Sequence, residues 1–425
     1  MPEPFLNSKT QWWMIQLPLD IISGPELLRQ WSLELFGTER PSEAQIQSIA
    51  DHTQSLWSKF NTLRTELERD YMSIDKYLQA YIASFFIPNI ERTRKILLNS
   101  RNLHQLEKII ARDIIHVLDF GSGPLSATVG LLVVLGELRN RLGVENFKCK
   151  EIHICAVERS EKSFKKGLRL LEQSASKDIK LQISRATSIP KDKKFNIIMA
   201  ANVINELPEK HQKQTALIFA QSLDASSDNI GLIVEPGQEI HSKNLSKIRD
   251  FLCNTEELPT LEIVAPCLHK KPCPLSPDSS RNDWCWFKTE FIAPDVLEKI
   301  DRKSKIHHSE LAFSFIAFTT NERLQNKHVG EVSWALAVSD EMNAGQLSDQ
   351  DKRFEYFKNN TYPSGIRADN EMLKQLAATG TKTKLCASTG DYLGGLRAAD
   401  QRNTRLKRGD TVAEIQNFDA VIKER

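Results

Sequence analysis

The residues best equipped for chemistry in this 425-residue chain crowd into one stretch, APCLHKKPCPLSPDSSRNDWCWF. It sets Cys267, His269, Cys273 and Cys285 among prolines and charged or polar side chains. A loop of this kind brings little core of its own, and ligation of a metal would supply the missing order. Spacing leaves two metal readings open. A tetrahedral zinc ion takes Cys267, His269, Cys273 and Cys285 and needs nothing from elsewhere. An iron–sulfur cluster prefers four thiolates and recruits Cys386 from far downstream, leaving His269 as a neighbour. The bland alternative, cysteines acting as small apolar residues, fits poorly where Pro-Cys recurs beside charged side chains.

A second constellation suits a nucleotide-type cofactor. The run ending at Leu118 leads into Asp119-Phe120-Gly121-Ser122-Gly123-Pro124, with a helix expected from about Ser126. Small residues there let backbone approach a ligand, and the helix start offers unpaired N–H groups. A dinucleotide fingerprint would carry a third glycine, but Leu125 stands where the turn would relax, which disfavours a pyrophosphate. Asp119 before the glycines and Glu158 at the end of the next strand match an S-adenosylmethionine arrangement, with Glu158 accepting from both ribose hydroxyls. Asn202 ends the fourth strand, where ligands dock in open α/β sheets; it contacts the adenine or the methionine part, or caps a turn. Glu235-Pro236-Gly237 ends the fifth strand and reads as pocket floor or as a tight turn. The segment Val203-Ile204-Asn205-Glu206-Leu207-Pro208 lacks the Asn/Asp-Pro-Pro-Tyr loop of amine-methylating enzymes, and no general base presents itself.

These groups need a frame. Five β-rich runs, Ile114 to Leu118, Ile152 to Val157, Lys180 to Ser184, Phe195 to Met199 and Ile230 to Val234, alternate with helical ones near Ala127 to Leu142, Glu161 to Gln173 and Glu209 to Ser222. That order predicts a doubly wound, mostly parallel sheet. Before it, residues 1–110 read as helical. Ser42 and Gln45 form a capping box, and Ile46, Ile49, Leu56, Phe60, Leu63 and Leu67 lie on one stripe. Beyond it, a helix runs through IRDFLC, another spans Pro294 to Asp301, and LAFSFIAF (Leu311 to Phe318) reads as a buried strand closing the sheet. After Thr319 the sequence turns polar and weakly periodic. Its basic cluster Arg402, Arg405, Lys407 and Arg408 reads as a solvated face or as a contact for phosphate.

Composition narrows the setting. The chain is 40% hydrophobic and 26% charged, with a net charge of +2, too small to demand a nucleic-acid partner. No run approaches the roughly 20 apolar residues needed to span a bilayer, so no membrane partner is expected. The opening MPEPFLNSKTQWW fits neither a secretory signal nor an Arg-rich transit peptide, which predicts a cytoplasmic protein, with a mitochondrial matrix as the alternative. In such a reducing setting seven cysteines point to metal or chemistry rather than to disulfides.

Taken together, Asp119-Phe-Gly-Ser-Gly-Pro, Glu235-Pro236-Gly237, the Pro-Cys267-x-His269-x3-Cys273-Pro-Leu block and Asp283-Trp284-Cys285 resemble the mitochondrial small-ribosomal-subunit methyltransferase-like assembly factor family and its bacterial relatives. The resemblance runs from about residue 80 to residue 318, and its Cys-His-Cys-Pro block is far more specific than the glycine turn. It implies a class I S-adenosylmethionine-methyltransferase-like Rossmann domain with an N-terminal helical region and a small C-terminal module joined by a metal centre. It also implies Cys267, Cys273, Cys285 and Cys386 as ligands of a 4Fe-4S cluster.

The expected domains are a helical region over 1–110, a Rossmann domain over 111–320 that includes a Cys-rich loop over 259–287, and a C-terminal module with an insertion over 321–425. The cofactor is held by Asp119, Gly121, Ser122, Gly123, Glu158 and Asn202. The implied role is on the small ribosomal subunit or its rRNA during assembly or translation. An active rRNA methyltransferase and a zinc-stabilised interaction protein are the alternatives. A radical S-adenosylmethionine enzyme is excluded by the absence of its compact three-cysteine spacing.

Overall fold

Strands form where the sequence places its β-branched runs. β1 (Ile114–Phe120), β2 (Glu151–Val157), β3 (Lys180–Ala186), β4 (Ile197–Ala201) and β5 (Ile230–Pro236) pair in the order β3-β2-β1-β4-β5, all parallel. β4 is buried along nearly its whole length, as a central parallel strand must be, whereas the edge strand β3 alternates exposed and half-buried positions. The order reverses between β1 and β4, so their carboxyl ends frame the crevice where such sheets bind ligands.

The computed structural model describes residues 11–61, 71–267, 269–275, 283–321, 334–343, 375–376, 378–387, 392–398, 405–413 and 420–423. Its chain divides into two units, Met1–Val234 with Thr289–Leu311, and Glu235–Lys288 with Ala312–Arg425.

In the first unit the parallel strands share a body with the N-terminal helices α1 (Gly24–Phe36), α2 (Glu43–Asn61), α3 (Asp75–Tyr81), α4 (Ile87–Leu97) and α5 (Ser100–Ile109). One π-helical turn, Ile82–Phe86, joins α3 to α4. The capping box at α2 forms: Ser42 N donates to Gln45 Oε1 at 2.9 Å, and Gln45 N donates to Ser42 Oγ at 3.3 Å. Ile46, Ile49 and Leu56 of its stripe are buried, while Leu63 and Leu67 lie outside the described residues. Between the strands run α6 (Ser126–Leu142), α7 (Glu161–Ser174) and α8 (Glu209–Gln221). α4 crosses α6 at Gly130, where a Cβ would stand 2.8 Å from Ile90 O. Buried charge fixes that crossing. Arg94 of α4 binds Glu91 at 3.2 Å and Glu137 of α6 at 2.5 Å, and Trp12 Nε1 donates to Glu91 Oε2 at 3.0 Å.

The second unit holds α9 (Glu239–Asn254) and an antiparallel pair, β6 (Glu262–Ala265) with β8 (Glu310–Thr319). β7 (Phe287–Glu290) and α10 (Asp295–Ser304) lie between them in sequence, and α10 belongs to the first unit. The tail, weakly periodic in sequence, is nonetheless ordered into strands. Among the described residues, β9 (Trp334–Ala337), β10 (Met342–Asn343), β11 (Thr381–Ala387), β12 (Tyr392–Arg397), β13 (Thr411–Ala413) and β14 (Ala420–Lys423) make an antiparallel sheet in the order β13-β9-β11-β12-β14, with β10 on β11. Its core is small: Ala335, Ala337, Leu385, Ala387, Leu393 and Val412. Among the described residues no helix is long and apolar enough to cross a membrane.

Candidate cofactor edge and thiol cluster

The glycine turn after β1 is built on left-handed backbone. Gly121, Gly123 and Leu125 have φ of 67°, 51° and 66°. At Gly121 a Cβ would fall 2.2 Å from Val203 Cγ2, so the site tolerates no side chain. Gly167 of α7 is just as constrained, because a Cβ there would meet the carbonyl oxygen of Pro124 at 2.1 Å. Leu125 takes a conformation that suits glycine, and its complete burial offsets the strain of about 1–2 kcal/mol. The first turn of α6 that follows has no side-chain cap from Leu125, and its Thr128 amide turns to Asp119.

The predicted cofactor residues gather at this edge. Asp119 is 1% exposed; its Oδ2 accepts from Thr128 Oγ1 at 2.6 Å, while Oδ1 is buried with no partner. Burial raises the Asp119 pKa to about 6, against the hydrogen bonds from Thr128 and with a further push from Glu158. Ser122 Oγ is likewise buried without a partner. Glu158 follows β2 and folds onto the turn, where Oε2 accepts from Gly123 N at 2.9 Å and Oε1 from Ser160 N at 2.7 Å. Asn202 ends β4 with φ of 57°, anchored by its N–H to Val234 O at 2.8 Å. Glu235-Pro236-Gly237 belongs to the second unit, where Glu235 is buried and Gly237 lies against Ala312 and Phe313.

Sequence reasoning missed the roof of this edge. Tyr71 donates to Glu206 Oε1 at 3.3 Å, and Asn89 Nδ2 donates to Tyr81 Oη at 3.2 Å. Asn202 Nδ2 reaches Asn89 Oδ1 at 3.4 Å, and Arg92 Nη1 reaches the same oxygen at 2.5 Å. Burial, with Glu206 next, pushes both tyrosine pKa values up, and Glu158 adds to both. The available signal was the helical spacing of Tyr81, Asn89 and Arg92 within an otherwise apolar run, which reads as ordinary amphipathicity until the strands are in place.

In the second unit Cys386, from β11, comes to the loop that carries the other three cysteines. His269 Nε2 lies 3.4 Å from Cys386 Sγ. Burial drives the Cys285 pKa far up, and Cys267, Cys273 and Cys386 add to it through their own charge; Arg408 opposes them. Cys273 is pushed up to about 12 by burial and Cys267. None of the seven cysteines is in a disulfide. Among the described residues no group of three or more His, Cys, Asp or Glu side chains is placed to hold a metal ion.

α9 props the loop. Arg249, 1% exposed, donates to the carbonyls of His269 and Lys271, the latter at 2.5 Å, and to Asp250 Oδ1 at 2.6 Å. Burial works against its charge, and Cys267, Cys253 and Asp250 hold it charged all the same. Asp250 in turn accepts from Cys273 N at 3.1 Å. The His269 pKa falls to about 4 through burial and the Arg249 cation, so its ring is neutral. The tail adds two ties, Lys384 to Asp283 at 2.7 Å and Arg408 Nη1 to Trp286 O at 2.9 Å, with the Arg408 guanidinium 4.5 Å over the Trp286 ring. Of the basic cluster, Arg405 and Lys407 are exposed, as a solvated face would be, and Arg408 departs from it. Arg408 is turned inward, Arg405 donates to Glu341 O, and Arg402 lies outside the described residues.

A family model described as mitochondrial small ribosomal subunit Rsm22 matches residues 115–345, more than half of the chain. No curated protein matches. Solved structures with similarity include magnesium protoporphyrin IX methyltransferase of Synechocystis with bound S-adenosylhomocysteine, at 9% identity and TM-score 0.31, covering 63% of this chain and 99% of that one. Precorrin-6y C5,15-methyltransferase of Geobacter metallireducens gives 12% identity and 0.24, over 38% and 72%. An O-methyltransferase family protein of Burkholderia thailandensis gives 10% and 0.30, over 48% and 58%.

Proposed function

Because the chain belongs to the mitochondrial small ribosomal subunit Rsm22 family, we propose that it is an S-adenosylmethionine-binding, methyltransferase-like protein that acts on the small ribosomal subunit or its rRNA during assembly or translation. We propose further that its second unit carries a 4Fe-4S cluster on Cys267, Cys273, Cys285 and Cys386. The observation that carries this reading is the approach of Cys386 to the loop, where its sulfur lies 3.4 Å from His269 Nε2 and its charge acts on the Cys285 thiol.

The donor set suits the group. The candidate ligands are four soft sulfurs; the nearby Asp250 carboxylate is engaged by the amide of Cys273 and by Arg249, and the Arg249 and Arg408 cations lie where thiolate charge would accumulate. A bound cluster would keep the four thiols deprotonated and cross-link tail and loop. The chain's own residues prepare for it: Arg249 and Asp250 fix the loop backbone, and the neutral His269 packs beside Cys386.

At the cofactor edge, Glu158 would turn from the amide of Gly123 to the ribose hydroxyls, and the free oxygen of Asp119 would meet a donor of the ligand. The family's description favours the mitochondrial matrix over the cytoplasm. The test is co-sedimentation of the full chain with small ribosomal subunits, together with methyl transfer to their rRNA and an Asp119→Ala control. Subunit binding without transfer is expected. Transfer abolished by Asp119→Ala would make the protein an active methyltransferase, and no association with the subunit would end the reading.

A further inference from the structure

Two arginines on α4 meet different fates. Arg94 is closed off by the carboxylates of Glu91 and Glu137. Arg92 has none: Nη1 donates to Asn89 Oδ1 at 2.5 Å, Nε is sealed from solvent without a partner, and among the described residues no carboxylate forms an ion pair with it. Burial lowers its pKa to about 10, and only the phenol of Tyr81 works the other way. The side chain is half-buried with its Nε sealed, and a guanidinium left there without a carboxylate is suited to an anion that completes it.

Its position identifies that anion. Asn89 Oδ1 accepts from Arg92 and from Asn202, so the guanidinium reaches the β4 end of the ligand edge. Glu158 stands at the β2 end, with the glycine turn of β1 between, because β1 pairs with β2 on one side and β4 on the other. A cofactor whose ribose sits on Glu158 sends one of its two ends across the turn toward β4. Adenine carries no charge, whereas the methionyl end carries a carboxylate. An unpaired arginine selects the second.

We propose that Arg92 is the anion-binding residue of this edge and takes the methionyl carboxylate of S-adenosylmethionine in a two-pronged ion pair. Asn89 orients the guanidinium, and Tyr81 holds Asn89. This assignment rests on the reading of the edge as an S-adenosylmethionine site.

The experiment is calorimetric titration of the full-length chain with S-adenosylhomocysteine and with 5′-methylthioadenosine, which has the adenosine but no amino-acid part. Arg92→Met is expected to weaken S-adenosylhomocysteine by about 10- to 100-fold, the worth of a charge-assisted pair, while methylthioadenosine binding stays within about twofold. Arg92→Lys, which keeps the charge and loses the fork, should fall between and serves if the methionine variant does not fold. Equal loss of both ligands would reduce Arg92 to a packing role and overturn the proposal. Unchanged S-adenosylhomocysteine binding would also overturn it, with the cofactor reading intact; if rRNA binding fell instead, the anion is a phosphate. Wild-type protein that bound neither ligand would remove the cofactor reading and this assignment together.

Discussion

Asp119 offers a test in which losing a functional group should stabilise the protein. Its carboxyl is 1% exposed, with one oxygen on Thr128 and the other unpartnered. Burial lifts its pKa from 3.8 to about 6. Between those values the folded chain keeps a proton that the unfolded chain releases. The folded state therefore loses ground as pH rises from about 4 through about 6, by roughly 3 kcal/mol at most for a shift of this size. Asp119→Asn keeps an oxygen for Thr128 and removes the charge, at the expense of an amide N–H with no acceptor, worth about 1–3 kcal/mol. Urea unfolding of wild type and variant at pH 7.5 and pH 4 separates these effects. The variant should gain relative to wild type by up to about 3 kcal/mol between pH 4 and 7.5, and S-adenosylhomocysteine should bind it more weakly. A difference between the two proteins that does not change with pH would refute the reasoning, because a buried charge is the only part of the substitution that titrates.

Three more outcomes follow from contacts. Gly167→Ala drives a methyl into the carbonyl of Pro124 and should cost about 1–3 kcal/mol in urea unfolding while weakening S-adenosylhomocysteine binding; a neutral result means the turn yields freely. Leu125→Gly relieves left-handed strain of about 1–2 kcal/mol but empties a fully buried leucine site worth about 2–5 kcal/mol, so the same assay should show a net loss. Arg249→Met leaves two loop carbonyls and Asp250 without their cation, a loss of about 3–5 kcal/mol for a broken buried pair, and should speed thiol labelling of Cys267 and Cys273 in metal-free protein.

The parallel strands were legible because each is a dense β-branched or apolar run, such as IHICAV in β2, bounded by helical spacing. The glycine turn was legible because only glycine fits φ of 67° against Val203. The tail sheet was not. β12 reads YLGGLR and β11 reads TKTKLCA, so glycines and lysines hide the alternation, and the small core is half alanine. Arg92 was invisible for another reason: in sequence it matches Arg94, and only the folded chain shows that one has carboxylates and the other does not. Arg408 looked like part of a basic run, yet it stacks on Trp286 and is half-buried.

The most direct measurement is anaerobic purification of the full chain, wild type and Cys386→Ser, with iron, acid-labile sulfide and zinc quantified per chain alongside the visible spectrum. About four irons and four sulfides in the wild type, with a brown absorbance largely lost in the variant, is the expected result. Stoichiometric zinc without sulfide, or a cluster untouched by Cys386→Ser, would contradict a centre shared between the loop and the tail.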